Sequence, residues 1–180
     1  HHALAFALAL VLVGLLPFMG TPTMAQDSTA EADATVRFVH ASPGAPEVDV
    51  LLDGQPILEH LPTGTVSEYL AITPEEHRLQ IVPSGQTAEA ALVDETIDAA
   101  PGRAYLVAVF GLLNDINGAI YDVNLDEIEP GNARVRLINL SPDAGEVDLL
   151  ETGGDEWFGN VGLGAAADYR DIAPGAYSAD

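Results

Sequence analysis

The phrase VRFVHASPGAPEVDV at residues 36–50 returns as VRLINLSPDAGEVDL at residues 135–149, a spacing of 99 positions. Val36-Arg37, Ser42-Pro43 and Glu47-Val48-Asp49 recur as Val135-Arg136, Ser141-Pro142 and Glu146-Val147-Asp148. Tyr69, Ile72 and Pro74 then fall opposite Tyr169, Ile172 and Pro174 at a spacing of 100, so one residue is inserted in between. Solenoid units repeat every 20–50 residues or so, and a period twice that long marks the duplication of a whole domain. The boundary is LDEIEPGNA, residues 125–133, where charge, Pro130 and Gly131 interrupt the apolar pattern. The second copy reaches Asp180, the counterpart of Gln80, and lacks everything matching residues 90–124. Half a sandwich cannot bury its own face. The expectation is therefore a chain that continues past Asp180 or a second half that is unstable.

Within the first copy, apolar residues alternate or form short runs, with turn signals every 8 to 12 residues or so, the pattern of an all-β sandwich or barrel. Strands are predicted near 35–40, 47–52, 55–59, 66–71, 77–82, 90–97, 104–110 and 119–124, and no segment carries a helical stripe. Asp53-Gly54, between apolar runs, predicts a two-residue hairpin turn with both residues at positive φ. Pro62-Thr63-Gly64, Pro83-Ser84-Gly85 and Pro101-Gly102 close the next connections, Pro presetting φ and Gly accepting the left-handed position. The run YLVAVF, Tyr105 to Phe110, is apolar on both faces, which predicts a central strand whose outer face is covered. The functional variant is that this outer face docks a neighbouring domain or a partner.

At the N-terminus, Ala3 to Leu16 is almost wholly apolar and is followed by Pro17, Gly20, Pro22 and Thr23-Met24-Ala25. Residues 1–25 read as a secretory signal peptide cleaved after Ala25. The alternative, a membrane anchor, needs about 20 apolar residues, and Pro17 and Gly20 end the run early. The chain begins His1-His2, and neither an initiator Met nor a Lys or Arg precedes the run, so a longer reading frame is expected. Residues 26–34, QDSTAEADA, read as a flexible acidic leader. The chain has no Cys, which excludes disulfides, thiolate metal sites and a cysteine nucleophile.

Charge narrows the function classes further. The 28 acidic residues face six basic ones, all Arg, for a net of −22. That field repels nucleic acid and anionic membrane surfaces, so neither a phosphate-backbone binder nor membrane insertion of the mature chain is expected. A salty habitat, where the Debye length shrinks to about 3 Å at 1 M, and a codon bias toward Arg both account for the balance.

VRFVHASPGAPEVDVLLDGQPI, followed by VSEYLAITPEEHRLQIVPSG and AYLVAVFGLL, resembles the DUF4397 family of secreted, mostly prokaryotic proteins often built from tandem copies. The resemblance covers residues 35–124 as a first domain and 134–180 as a second, truncated one, with 125–133 as linker. It implies an immunoglobulin-like antiparallel β-sandwich, exported or surface-attached, with no established activity and no catalytic residues to carry over. The second copy departs from the pattern with Asn139-Leu140 where the first has His40-Ala41.

Candidate chemistry is sparse. His40, Ser42 and Asp49 suggest a nucleophilic triad, but no strained nucleophile elbow accompanies them, and the second copy keeps Ser141 and Asp148 while replacing the His with Asn139. A turn role for Ser42 and a strand role for Asp49 fit better, and no catalytic residue is expected. Arg37 and Asp49 each sit between apolar neighbours, predicting a cross-strand pair, Arg37 to Asp49, repeated as Arg136 to Asp148. Asp115, Asp122, Asp126 and Glu127 lie close in sequence and form a weak candidate Ca²⁺ site, since Ca²⁺ takes 6 to 8 or so oxygen ligands. Against it, Glu127 stands where an EF-hand needs Gly, and on a strand Asp122, Asn124 and Asp126 would share one solvent face. No other cofactor is expected. His60 and His77 read as surface loop residues. Tyr69, Tyr105 and Tyr121 supply a sugar-stacking platform only if their strands cooperate. The reading is an exported, non-catalytic module at the cell surface or in the matrix, binding an extracellular protein or polysaccharide or acting as a spacer. The alternative is a Ca²⁺-stabilised or carbohydrate-binding accessory module of a larger secreted enzyme.

Overall fold

A computed structural model describes residues 32–151 and 156–175. The predicted signal peptide and most of the acidic leader lie outside the described residues. The described chain is all-β. Its strands are β1 (Ala34–Ala41), β2 (Val48–Leu52), β3 (Gln55–Leu61), β4 (Thr65–Val66), β5 (Leu70–Ile72), β6 (Glu76–Pro83), β7 (Val93–Asp98), β8 (Ala104–Leu112) and β9 (Asp115–Val123). The second repeat adds β10 (Ala133–Val135), β11 (Val147–Leu150), β12 (Glu156–Val161) and β13 (Arg170–Ile172). Among the described residues, no helix is long and apolar enough to cross a membrane.

The first repeat is a sandwich whose strands alternate between two sheets. One sheet runs β4-β1-β8-β9 with β5 also alongside β1; the other runs β3-β2-β6-β7. Period-two patterning explains the packing: Ala34, Val36, Phe38 and His40 of β1 are buried while their neighbours are half-buried. Val36 and Phe38 meet Val48, Val50, Leu79, Ile81 and Val107 in a core shared by both sheets. Each such side chain, taken fully out of water, contributes about 1.5–3 kcal/mol. The Asp53-Gly54 turn has the expected positive φ at both residues, 51° and 78°, and feeds the β2–β3 hairpin. All pairings are antiparallel except β1 with β8, which run parallel over seven positions from Thr35↔Ala104 to Ala41↔Phe110.

The sequence likeness of the two stretches extends to registers and hydrogen bonds. Ala34↔Ile72 of β1–β5 returns as Ala133↔Ile172 of β10–β13. Val39↔Val66 returns as the bridge Ile138↔Ala166. In the hairpins, Val48↔Leu61 and Val50↔Leu58 return as Val147↔Val161 and Leu149↔Phe158, bulge included. The inserted residue falls between Glu151 and Glu156, because Leu51↔Pro56 returns as Leu150↔Glu156. The bulge residues His60 and Asn160 both take left-handed φ, 59° and 57°, and each donates its N–H to the matching carboxylate, His60 to Asp49 Oδ1 at 2.8 Å and Asn160 to Asp148 Oδ1 at 2.6 Å.

Strand β8 is buried from Ala104 to Gly111 on both faces, as its apolar run implies. Tyr105, Val107 and Val109 face the core. Leu106 and Phe110, on the other face, are 8% and 6% exposed. What covers them is the second repeat: Gly164 lies so close that a Cβ there would stand 2.7 Å from Phe110 Cζ.

The predicted Arg37–Asp49 pair does not exist, because β1 and β2 belong to opposite sheets. Arg37 stacks over the Tyr69 ring at 4.9 Å. Asp49 is 6% exposed and accepts from His60 N–H, Ser84 Oγ at 2.7 Å and Gly85 N–H at 2.8 Å. Burial alone would raise its carboxyl pKa; these donors outweigh it and hold the group below the ordinary value.

Candidate functional site

The outer face of the β1-β8-β9 layer carries a row set by register: Arg37↔Leu106 and Leu106↔Tyr121. Onto this row the second repeat brings Arg134, Arg136, Ile138 and Tyr169. Together they enclose a cleft of about 350 Å³ lined by Arg37, Leu106, Val123, Asn124, Arg134, Val135, Arg136, Ile138 and Tyr169. A second cleft of about 460 Å³ shares Asn124, Arg136 and Tyr169 with it and adds Arg103, Ile120, Tyr121, Asp122 and Asp126. Four of the six arginines of an acidic chain thus line one seam.

Polar contacts fix the seam. Tyr121 donates its hydroxyl to Gly164 O at 2.8 Å. Tyr169 Oη accepts the Asn124 N–H at 3.2 Å. Arg134 grips Asp171 with two parallel bonds, Nε to Oδ1 at 2.7 Å and Nη2 to Oδ2 at 2.8 Å, and Nη1 reaches Asn124 Oδ1 at 3.0 Å. That hydrogen bonding holds the Asp171 carboxyl below its usual pKa. Arg136 lies over two rings, 4.6 Å from the Tyr169 centroid and 5.6 Å from that of Tyr121. Burial pushes the Tyr121 phenol up, and the Arg136 charge offsets part of the rise.

The other candidates resolve differently. His40 Nε2 bonds Pro46 O at 2.9 Å and its Nδ1 faces the Ser42 N–H at 3.4 Å, while Ser42 Oγ donates to Gly111 O at 2.7 Å. The ring meets the Ser42 backbone and not its hydroxyl, and Asp49 lies in the other sheet, so no nucleophile–base relay forms. Asn139 repeats the arrangement, Nδ2 donating to Gly145 O at 2.7 Å and Oδ1 accepting from Ser141 N at 3.0 Å. An amide thus replaces the imidazole as a loop clamp.

Of the four candidate Ca²⁺ ligands only Asp122 and Asp126 line a common cleft; the four are not brought together. Asp115 and Asp122 begin and nearly end β9, roughly 23 Å apart at 3.3 Å per residue. Asp126 lies in the connection beyond β9, and Glu127 faces a separate depression with Glu129 and Asp171. Among the described residues, no three His, Asp or Glu side chains gather as a cation site. Because β9 stops at Val123, Asp122, Asn124 and Asp126 do not share a strand face, and Asn124 turns to Arg134. The tyrosine platform also fails: Tyr105 points into the core, where its hydroxyl donates to Asp98 O at 3.1 Å, and Tyr121 points outward.

His60 is exposed, though on a strand. His77, expected on a surface loop, instead sits within β6, 4% exposed. Its Nδ1 meets Asp53 Oδ2 at 2.6 Å and its Nε2 meets Thr73 O at 2.9 Å. Both partners are acceptors, so the doubly protonated ring fits the site. Burial alone would lower the His77 pKa; the bonds to Asp53 and Thr73 and the charges of Asp53 and Glu75 outweigh it and raise the value. The His77 hydrogen bond in turn lowers the Asp53 pKa. The His77 contribution to stability is therefore full below about pH 6.5 and lost as pH rises through the raised folded value; the Asp53 part is lost as pH falls below about 3.8. Urea melts between pH 6 and 9 should show wild-type stability declining relative to His77→Gln. Parallel curves for the two proteins would refute the charged pair.

The DUF4397 family model, a domain of unknown function, matches residues 34–150. The chain belongs to the DUF4397 family. The matched stretch does not stop at the end of β9 but continues through β10 and β11, so this DUF4397 region contains every arginine of the seam. Tyr169 lies beyond it. No curated protein matches the chain.

Proposed function

We propose that this DUF4397 protein is an exported, non-catalytic β-sandwich module that binds a ligand outside the cell, using the seam between its repeats. The observation that carries the reading is the gathering of Arg37, Arg103, Arg134 and Arg136 around two adjoining clefts in a chain of net charge −22. Small-molecule sites are concave, partly apolar and furnished with a few convergent polar groups, commonly at domain junctions and about 300–1,000 Å³ in size, and the seam has that character. Export is supported by the apolar run at residues 3–16 with its small-residue site, and is tested by fractionating cells that express the chain: retention in the cytosol overturns it.

Binding is tested by co-sedimentation with a panel of insoluble extracellular polysaccharides. Wild-type protein pelleting with one of them, and Tyr169→Ala failing to do so while keeping its circular dichroism, is the expected result. A protein that pellets with none overturns polysaccharide binding.

A further inference from the structure

We infer that the seam cleft takes a compact organic anion bearing a single carboxylate, held between the guanidinium edges of Arg37 and Arg136; this rests on the binding reading above. The smaller cleft has three arginines and no acidic residue in its wall. Arg134 is already committed to Asp171, Asn124 and the Asp126 carbonyl. Arg37 and Arg136 are not: among the described residues neither has a carboxylate at ion-pair distance, and Arg37 Nε is shut off from solvent without a hydrogen-bond acceptor. Both guanidinium groups are held by stacking, Arg37 on Tyr69 and Arg136 on Tyr169 and Tyr121. Stacking engages the face of a guanidinium and leaves its in-plane N–H donors without acceptors; with Arg37 Nε shut off from solvent, it is the terminal Nη groups that match a carboxylate in fork geometry. The two residues are repeat equivalents, so duplication has brought two copies of one Arg–Tyr stack to a common cavity.

The rest of the cleft defines the remainder of the ligand. Leu106, Val123 and Ile138 supply an aliphatic wall and Asn124 an amide, which suit a small body with both carbon and hydroxyl surface. The field of a −22 chain opposes each further negative charge on the ligand. A singly charged group is therefore favoured over phosphate or a polyanion.

The test is isothermal titration of the full chain at low ionic strength with D-glucuronate, D-glucose and inorganic phosphate. Glucuronate should bind, with glucose at least tenfold weaker, and this comparison requires no variant to fold. Arg37→Gln and Arg136→Gln should each lose roughly tenfold or more in affinity, the scale of one charged hydrogen bond. Arg78→Gln, which removes the same charge from an ion pair with Asp94 elsewhere in the sandwich, should change nothing. Equal binding of glucose would overturn the carboxylate while leaving a ligand-binding cleft in place. Tighter binding of phosphate at a pH above its second pKa, where it is a dianion, would overturn the single charge. An equal loss in Arg78→Gln would reduce the effect to net charge and overturn the site. If neither sugar binds, the inference is wrong, and the polysaccharide experiment alone decides the broader reading.

Discussion

Asp49→Ala should lower the unfolding free energy by about 3 kcal/mol, whereas Asp148→Ala, at the equivalent position of the second repeat, should cost about 1 kcal/mol or less. The carboxylate of Asp49 joins two places that the chain visits 11 and 36 residues later: the β3 bulge through His60 N–H and the turn after β6 through Ser84 and Gly85. Removing it strands three donors around a carboxylate that is itself 6% exposed; a buried donor without an acceptor costs about 1–3 kcal/mol, and less where, as at His60 and Gly85, the donating residue is exposed. Water entering the vacated space recovers part of that sum. Asp148 accepts one such bond, from Asn160, at an exposed position. The matching positions thus provide an internal control with the same residue, the same strand position and the same bulge. Urea denaturation of both variants measures the difference. Equal losses would mean that the bulge bond, common to both, carries the effect and that the Ser84 and Gly85 contacts are incidental. Because the Asp49 pKa is depressed in the folded state, its contribution is present above about pH 3.8 and lost as pH falls through the lowered value. The stability gap between wild type and Asp49→Ala should therefore narrow in acid.

Features set by local periodicity were legible from the sequence. Alternation gave most strands of the first repeat, although the single strand expected near 66–71 is split into β4 and β5 and that expected from 90 begins only at Val93; Asp53-Gly54 gave its hairpin with both φ values positive, and the unbroken apolar run from Tyr105 to Phe110 implied a covered strand. His77 was misread although the same rule applied to it. It alternates with Leu79 and Ile81, which are buried, so period two already placed it on the inner face; its polar character obscured that. The Arg37–Asp49 pair failed for a different reason. Alternation fixes which way a side chain points within its own strand and says nothing of which sheet the strand joins, and β1 and β2 lie in different sheets. The seam required still more, namely which outer face the second repeat covers. One signal was available: Arg37 with Tyr69 and Arg136 with Tyr169 recur together in the two copies, at spacings of 99 and 100. A cation and an aromatic retained as a pair through duplication indicate a stack, although only the fold shows that both stacks lie along one seam.

Phe110→Ala should cost about 3 kcal/mol or more, the range for truncating a buried aromatic, and the loss should fall unevenly along the chain. Phe110 points away from the first repeat's own core and is 6% exposed because Gly164 of the second repeat lies against it. Gly164 has φ of +72°, which L side chains rarely adopt, and a Cβ there would collide with the ring, so Gly164→Val should disturb the same contact from the other side. Amide hydrogen exchange separates the two candidate roles of Phe110. If the ring chiefly anchors the second repeat, both variants lose protection in β10–β13 while β2, β6 and β7, which form the opposite sheet, keep theirs. A uniform fall in protection would instead make Phe110 part of one cooperative unit spanning both repeats. In that case the second repeat is held by the whole first sandwich, and the geometry of the arginine cleft depends on the integrity of both. The uneven outcome is expected, because the described strands β10–β13 pair only with one another and owe their attachment to side chains on the outer face of β8 and β9.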